Sequence, residues 1–459
     1  MTQQQTEMAL VMGILTVLAL IPATIAFRRA RAFRDWDLTA TLILLVGVLA
    51  NLPTMAYVVH AGRRERLDPL GEVVIGFPQW VNLIGTVCNA LLISGCAAFV
   101  VHRLFFTRAR INVAPLVGVA LVLLFAFSDG FHGEDFLAPR QLVLLAALLA
   151  AAVARPGRPA FLGGAAVVVL SAVLGGFESL VEPATVMREC RSDNPCGLLG
   201  VLYSGVFTNE NIFGLLLIVG IPFVWLGLRG RVRIVLSCYI AFMAVATGSR
   251  LAGVTAVAVL AFLALLRPKL PDEESRGEPK KSFVPVLCAL PVLGAAIAVG
   301  LALPFHQPDA DRLGDRAAIW NIAREELPGS PLFGFGGKAW PAKYHAGEIP
   351  AAVSPSLHNQ WLDVLYAGGA VGLCLFLFLL AHLLLTGGAA GFRLAACVLL
   401  PVLLASIVER PWSFGISNSL TFALVAALLL PRAVRRAASP GAPASGSSPA
   451  AEPVRTPRR

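Results

Sequence analysis

Charge is what this chain has least of. Asp, Glu, Lys and Arg make up 14% of its 459 residues, against 57% hydrophobic residues and a mean hydropathy of +0.75. A soluble domain carries about 25% charged residues, so a water-soluble globular class is excluded. Other absences narrow the field further. No basic segment precedes the first apolar run, Met8 to Phe27, and no clear small-residue cleavage site follows it. It reads as a retained span and not as a signal peptide. No HExxH zinc motif is present, and the glycines of PLFGFGG (331–337) lack the Gly-Lys-Ser/Thr of a phosphate-binding P-loop. Nothing places Asp315 and Asp363 across a sugar in the way hydrolytic glycosidases place their carboxylate pair. No convincing repeat relates the two halves of the chain, as the inverted repeats of carriers would.

What is there is a series of apolar runs near helix-spanning length, bounded by charges. They fall near 8–27, 38–60, 80–101, 113–128, 139–154, 160–176, 211–228, 232–248, 250–266, 283–304, 360–385, 393–408 and 418–431. The fold class is therefore an all-α polytopic membrane protein, with about 12–13 transmembrane helices and one large extracytoplasmic loop containing short helices. The domain plan is N-terminal helices over 1–200, central helices over 201–304, the loop over 305–359, C-terminal helices over 360–431 and a disordered basic tail over 432–459. One alternating set of loops, beginning with 28–37 and ending with the tail, holds most of the 37 Lys and Arg residues. That set is expected on the cytoplasmic side, which turns the 305–357 loop outward. Arg63, Arg64 and Arg66 go against this pattern.

Several polar stations interrupt the apolar runs. Asp129, His132, Glu134 and Asp135 cluster in SDGFHGEDF, which reads as a solvated turn; a metal site would need a second ligand motif. Cys190 and Cys196 share one polar loop, CRSDNPC, and suggest a small disulfide that stiffens it. Asn209, Glu210 and Asn211 stand where a span begins. They read equally as helix caps or as the polar lip of a substrate cavity. Arg250 follows the tight turn Thr247-Gly248-Ser249 between two apolar runs. An arginine at that depth faces a cavity or an anionic partner, unless it snorkels to the surface.

The longest polar segment between apolar runs extends from Asp315 to Asp363. Arg316, Ile319, Trp320, Ala323 and Arg324 follow helical spacing, which predicts a short helix with an aromatic and basic face. Such a helix suits the membrane surface, with Trp320 at headgroup depth. Pro328 ends it. Lys338, Tyr344 and His345 follow, and His358 and Asn359 open the next span. A histidine there is either an interfacial side chain or a base near neutral pH. Two arginines and a histidine on one outward face would bind a pyrophosphate and activate a hydroxyl.

FTNENIFG, the TGSR turn, DRAAIW with PLFGFG, HNQWLDVLYAGGAVG and SIVERPW, in this order and spacing, resemble the O-antigen ligase and polymerase superfamily over roughly residues 200–415. The resemblance implies a metal-independent membrane glycosyltransferase of the bacterial cell envelope, with no cofactor. Its donor would be an undecaprenyl-pyrophosphate-linked glycan, used at the outer face of the cytoplasmic (inner) membrane. Ligases pass the glycan to a lipid or other acceptor, such as lipopolysaccharide core; polymerases pass it to another repeat unit. The resemblance places the essential residues at His358, Arg316 and Arg250; should the histidine fail as base, Asp315 or Glu409 is next in line on chemical grounds. Trp320, Arg324, Lys338, Asn359 and Asn211 are the candidate substrate contacts. The bilayer is the remaining partner, and no nucleic acid is expected. Two other readings stay open: a transporter for a small anion, and a non-catalytic assembly partner.

Overall fold

The computed structural model describes residues 3–61, 66–67, 73–74, 77–107, 109–188, 190, 196–270, 284–306, 316–349 and 356–431. Asp315 and the tail from 432 lie outside these residues. Ten apolar helices run back and forth before the long loop. They are α1 (Gln3–Ala32), α2 (Leu38–Ala61), α3 (Gln79–Phe105), α4 (Val113–Phe131), α5 (Pro139–Val153), α6 (Arg158–Val181), α7 (Glu210–Gly227), α8 (Val232–Ala246), α9 (Arg250–Leu266) and α10 (Val284–Ala302). The loop carries α11 (Arg316–Glu326) and α12 (Ala339–His345); α13 (Gln360–Leu385), α14 (Gly388–Ala405) and the short α15 (Thr421–Leu428) follow. Among the described residues, nine helices are long and apolar enough to cross a membrane, and α5, α8 and α9 are shorter apolar helices. The two hairpins, Arg66–Leu67 with Val73–Val74 and Met187–Arg188 with Leu202–Tyr203, are two residues per strand.

Helices α6 and α7 form the centre and are almost wholly buried, whereas α1, α3 and α10 keep most of their surface outward. Small residues make the centre possible. A Cβ on Gly163 would stand 2.6 Å from the Ala40 carbonyl oxygen, and one on Gly227 would stand 2.8 Å from the Phe161 carbonyl. Lipid is as apolar as leucine, so close backbone approach and dispersion hold such helices together. The outer faces carry exposed Leu83, Val254 and Leu287, as lipid contact requires.

The thirteenth apolar run, 418–431, is not a full helix. Only Thr421–Leu428 is helical, about 12 Å at 1.5 Å per residue. The run nevertheless follows α5 from end to end. The Ser417 N–H donates to the Arg140 carbonyl at 3.1 Å near one end of α5, and the Gly157 N–H donates to the Leu429 carbonyl at 2.9 Å beyond the other. Irregular backbone at this depth is tolerated because protein surrounds it; α15 is buried throughout.

The loop end of the bundle has its own small core: Ile319, Trp320, Ala323, Trp340, Ile349, Leu357, Leu362 and Tyr366. This corrects the surface-helix expectation. Trp320 is fully buried, and its indole N–H donates to the Leu357 carbonyl at 2.8 Å. The amphipathic face of α11 is therefore satisfied by the loop itself and not by headgroups.

PLFGFGG locks that core to α13. Gly369 has φ 59° and ψ −160°, which interrupts α13 and frees peptide groups on both sides of the break. The Phe335 and Gly336 N–H groups donate to the Tyr366 and Ala367 carbonyls at 2.8 and 2.9 Å. In return, Ala370 and Val371 donate to Pro331 and Leu332 at 2.9 and 3.1 Å. A Cβ on Gly369 would stand 2.3 Å from the Leu332 carbonyl oxygen. The close neighbour that these glycines admit is the chain itself.

Candidate functional site

The site is assembled from three junctions that are remote in sequence. The first is the start of α13. Asn359 caps this helix, its Oδ1 accepting from the Leu362 N–H at 2.8 Å, while its Nδ2 donates to the Gly300 and Ile407 carbonyls at 3.0 and 2.9 Å. Its amide is spent on structure and it is fully buried, so it is an anchor and not the substrate contact expected. His358 stands between this anchor and Leu357, whose carbonyl Trp320 holds. Its backbone is left-handed, with φ 47°, a conformation uncommon outside glycine. Such strain persists only when the neighbours on both sides are fixed.

The second junction follows α14. Glu409 is 8% exposed and engages two side chains at once. Arg316 Nη2 donates to Oε1 at 2.8 Å, and His358 Nδ1 lies 2.9 Å from Oε2. The adjacent Arg410 donates from Nη1 to Asp363 Oδ1 at 2.8 Å. The segment is tied back to α13 by the Trp412 N–H donating to Gln360 Oε1 at 2.9 Å and by the Trp361 indole donating to Ser406 Oγ at 3.0 Å. Glu409 is a strong signal that sequence reasoning used only as a substitute base. An ionisable Glu-Arg pair in an apolar run is costly unless it pairs or serves function.

The third junction is the start of α7, where Asn209 accepts from the Ile212 N–H at 2.8 Å as an N-cap. A cavity of about 300 Å³ opens between the three junctions, lined among others by Asn209, Asn211, Ser356, His358, Glu409 and Arg410. Asn209 thus caps its helix and also lines the cavity. Residues 418–420, the turn of the broken crossing that leads into α15, close the remaining wall. Arg140 is drawn to the same end: its Nη2 donates to the Ser417 carbonyl at 2.9 Å, and it lies within electrostatic reach of Arg410.

The other expected site residues are placed elsewhere. Arg250 is exposed at the first position of α9, with Ser249 as the cap; it does not line this cavity. Its turn is braced from the disulfide loop, because a Cβ on Gly248 would stand 2.8 Å from the Val201 carbonyl oxygen. Cys190 and Cys196 are joined as a disulfide in that loop. Arg324 donates to the Phe305 carbonyl at 3.2 Å and to Asn321 Oδ1, tying α11 to the end of the preceding span. Lys338 donates its ammonium to the Asp135 carbonyl and its backbone N–H to Asp129 Oδ1, the latter at 2.9 Å. Asp129 is fully buried and also accepts from Gln141 at 2.8 Å. SDGFHGEDF is thus a solvated turn at His132 and Asp135, whereas at Asp129 it is the dock for PLFGFGGK. Among the described residues, no group of three or more His, Cys, Asp or Glu side chains could hold a metal ion.

Residues 234–377 match the family model described as O-Antigen ligase. No curated protein matches the chain. The matched stretch includes Arg250, Arg316 and His358; Glu409, Arg410 and the Asn209 cap come from outside it. The chain is a multi-pass membrane protein whose residues 234–377 are similar to the O-antigen ligase family.

Proposed function

We propose that the protein is a glycosyltransferase that moves a glycan from an undecaprenyl-pyrophosphate carrier to an acceptor hydroxyl, at the outer face of the bacterial cytoplasmic membrane. The observation that carries this reading is Glu409, held between Arg316 and His358 at the wall of a polar cavity. An ionised carboxylate accepts only, so the Nδ1 facing it carries the proton, and Nε2 presents the lone pair. That nitrogen takes the proton of the acceptor hydroxyl as its oxygen attacks the anomeric carbon. The bond from that carbon to the diphosphate breaks, and the carrier diphosphate leaves with the electron pair. Arg316 and Arg410 each keep guanidinium donors beyond the one given to a carboxylate, and they supply the cationic stabilisation the leaving group needs. Asn209 and Asn211 line the opposite side and suit sugar hydroxyls. A lipid acceptor makes this a ligase; the terminal sugar of another repeat unit makes it a polymerase.

The test is a transfer assay with purified full-length protein, a native lipid-diphosphate glycan donor, and two acceptors: membrane lipid extract and donor alone. His358→Ala is expected to lower turnover by about 10²–10⁴-fold while keeping donor binding. Arg316→Ala is expected to weaken donor binding as well as turnover. Product formed from donor alone marks a polymerase, and product formed only with the lipid extract marks a ligase. Full turnover in both variants would overturn the assignment.

A further inference from the structure

The end of the bundle opposite the candidate site holds a larger cavity, about 720 Å³. Arg34, Arg110, Arg155, Arg158 and Arg229 line it, and Asp35 is the sole carboxylate among its lining residues. Asp35 is already occupied. Arg229 grips it with two bonds of 2.6 and 2.8 Å, and Arg158 Nε stands 4.0 Å away. Arg158 is 5% exposed and also donates to the Leu226 carbonyl at 3.3 Å. Arg34, Arg110 and Arg155 are exposed, and among the described residues no hydrogen bond or ion pair engages their guanidinium groups.

Topology alone does not ask for this arrangement. Arginines that orient a membrane protein need only lie in the loops at one face. Here they come from the α1–α2 turn, the segment before α4, the α5–α6 turn and the end of α7, and they converge on one concavity. Five guanidinium groups against one carboxylate leave an excess of positive charge in a partly enclosed space. Planar guanidinium forks match phosphate oxygens with two bonds at a time. The 386–391 turn and residues 428–431, where the broken crossing ends, also line the cavity. A bound anion would therefore bridge five turns of the bundle.

We propose that this cavity binds a phosphate-bearing anion, a phosphodiester or diphosphate group, supplied by a lipid headgroup of that leaflet or free in solution. The site is separate from the glycosyltransferase reading and stands if that reading fails. Occupancy stabilises the fold, because a ligand that binds only the folded state adds to its stability.

The experiment uses the full chain in nanodiscs of phosphatidylcholine alone. Phosphatidylglycerol is added in one arm and inorganic pyrophosphate in the other, with binding read by native mass spectrometry and the melting temperature read in parallel. Arg110→Ala/Arg155→Ala removes two cavity cations without touching the Arg158–Arg229–Asp35 cluster. Arg28→Ala/Arg31→Ala removes two exposed cations outside the cavity lining. The expected result is saturable binding with a rise in melting temperature. The cavity variant should weaken it about tenfold or more, and the control variant should not. Binding in both arms indicates a free-anion site; binding of phosphatidylglycerol alone indicates a headgroup site. Equal losses in both variants, or no loss in the cavity variant, would overturn the proposal.

Discussion

Two carboxylates stand beneath the long polar loop, and they are used in opposite ways. Asp129 accepts from a backbone N–H of Lys338 and from the Gln141 amide, and both of its oxygens serve to join chain segments. Glu409 accepts from a guanidinium and faces an imidazole, at the wall of a cavity. Both are buried at the same end of the bundle, so burial does not separate structure from chemistry. The partners do. Neutral amide donors end at the carboxylate. A guanidinium retains further donors, and a neutral imidazole a second ring nitrogen, that a substrate can use. By this measure Asp129 is a clamp and Glu409 is the pivot of a site.

The structural side of the comparison is tested most severely at Gly369. Gly369→Ala places a Cβ against the Leu332 carbonyl at a backbone conformation that only glycine adopts readily. Strain and overpacking together should cost about 4 kcal/mol. The expected readout is a large drop in melting temperature, or loss of folded protein on gel filtration. Glu409→Gln probes the other side: it keeps the shape and removes the charge. Turnover should fall about 10–100-fold, as for lost partners that orient an active histidine, with little change in melting temperature. A stability loss without a turnover loss would return Glu409 to the class of Asp129. Asp129→Asn should do the reverse, costing about 1–3 kcal/mol through one mismatched buried donor, with turnover per folded molecule nearly unchanged. Lys338→Ala should have the smallest effect, within about 0.5 kcal/mol and about twofold in donor affinity. A tenfold loss of donor affinity there would restore Lys338 as a substrate contact.

Much of the architecture was legible because it depends on composition and period. The apolar runs near α1, α2, α3, α10 and α13 were expected as spans and are helices of spanning length. Transfer free energy accumulates along a run of adjacent residues, so no knowledge of neighbours is needed. The run 418–431 shows where that logic ends. Hydropathy marks it as membrane-embedded but is silent on backbone form, which here follows from Asn418, Ser419 and Leu420 lining a cavity and from α5 pairing at both ends.

The individual roles were less legible, for one shared reason. Trp320, Asn359, Lys338 and Arg324 have side chains capable of substrate contact, yet each is engaged by a backbone group from elsewhere in the chain. Arg188 and Glu210, paired at 3.2 Å across 22 residues, illustrate the same point. A sequence displays what a side chain can bond to but not which bond is already made.

The amino-acid order by itself determined that this chain enters a membrane as repeated helices, that its polar stations are few, that His358 stands at the mouth of a span and that Arg316 lies in the long polar loop before it. Those properties follow from local hydrophobicity, charge and spacing. Only the tertiary structure decided that Glu409 binds both, that Asn209 shares a cavity with His358 and Glu409, and that five arginines gather at the far end. Each of these joins residues separated by dozens to hundreds of positions, and their meeting is set by how small residues let the helices approach.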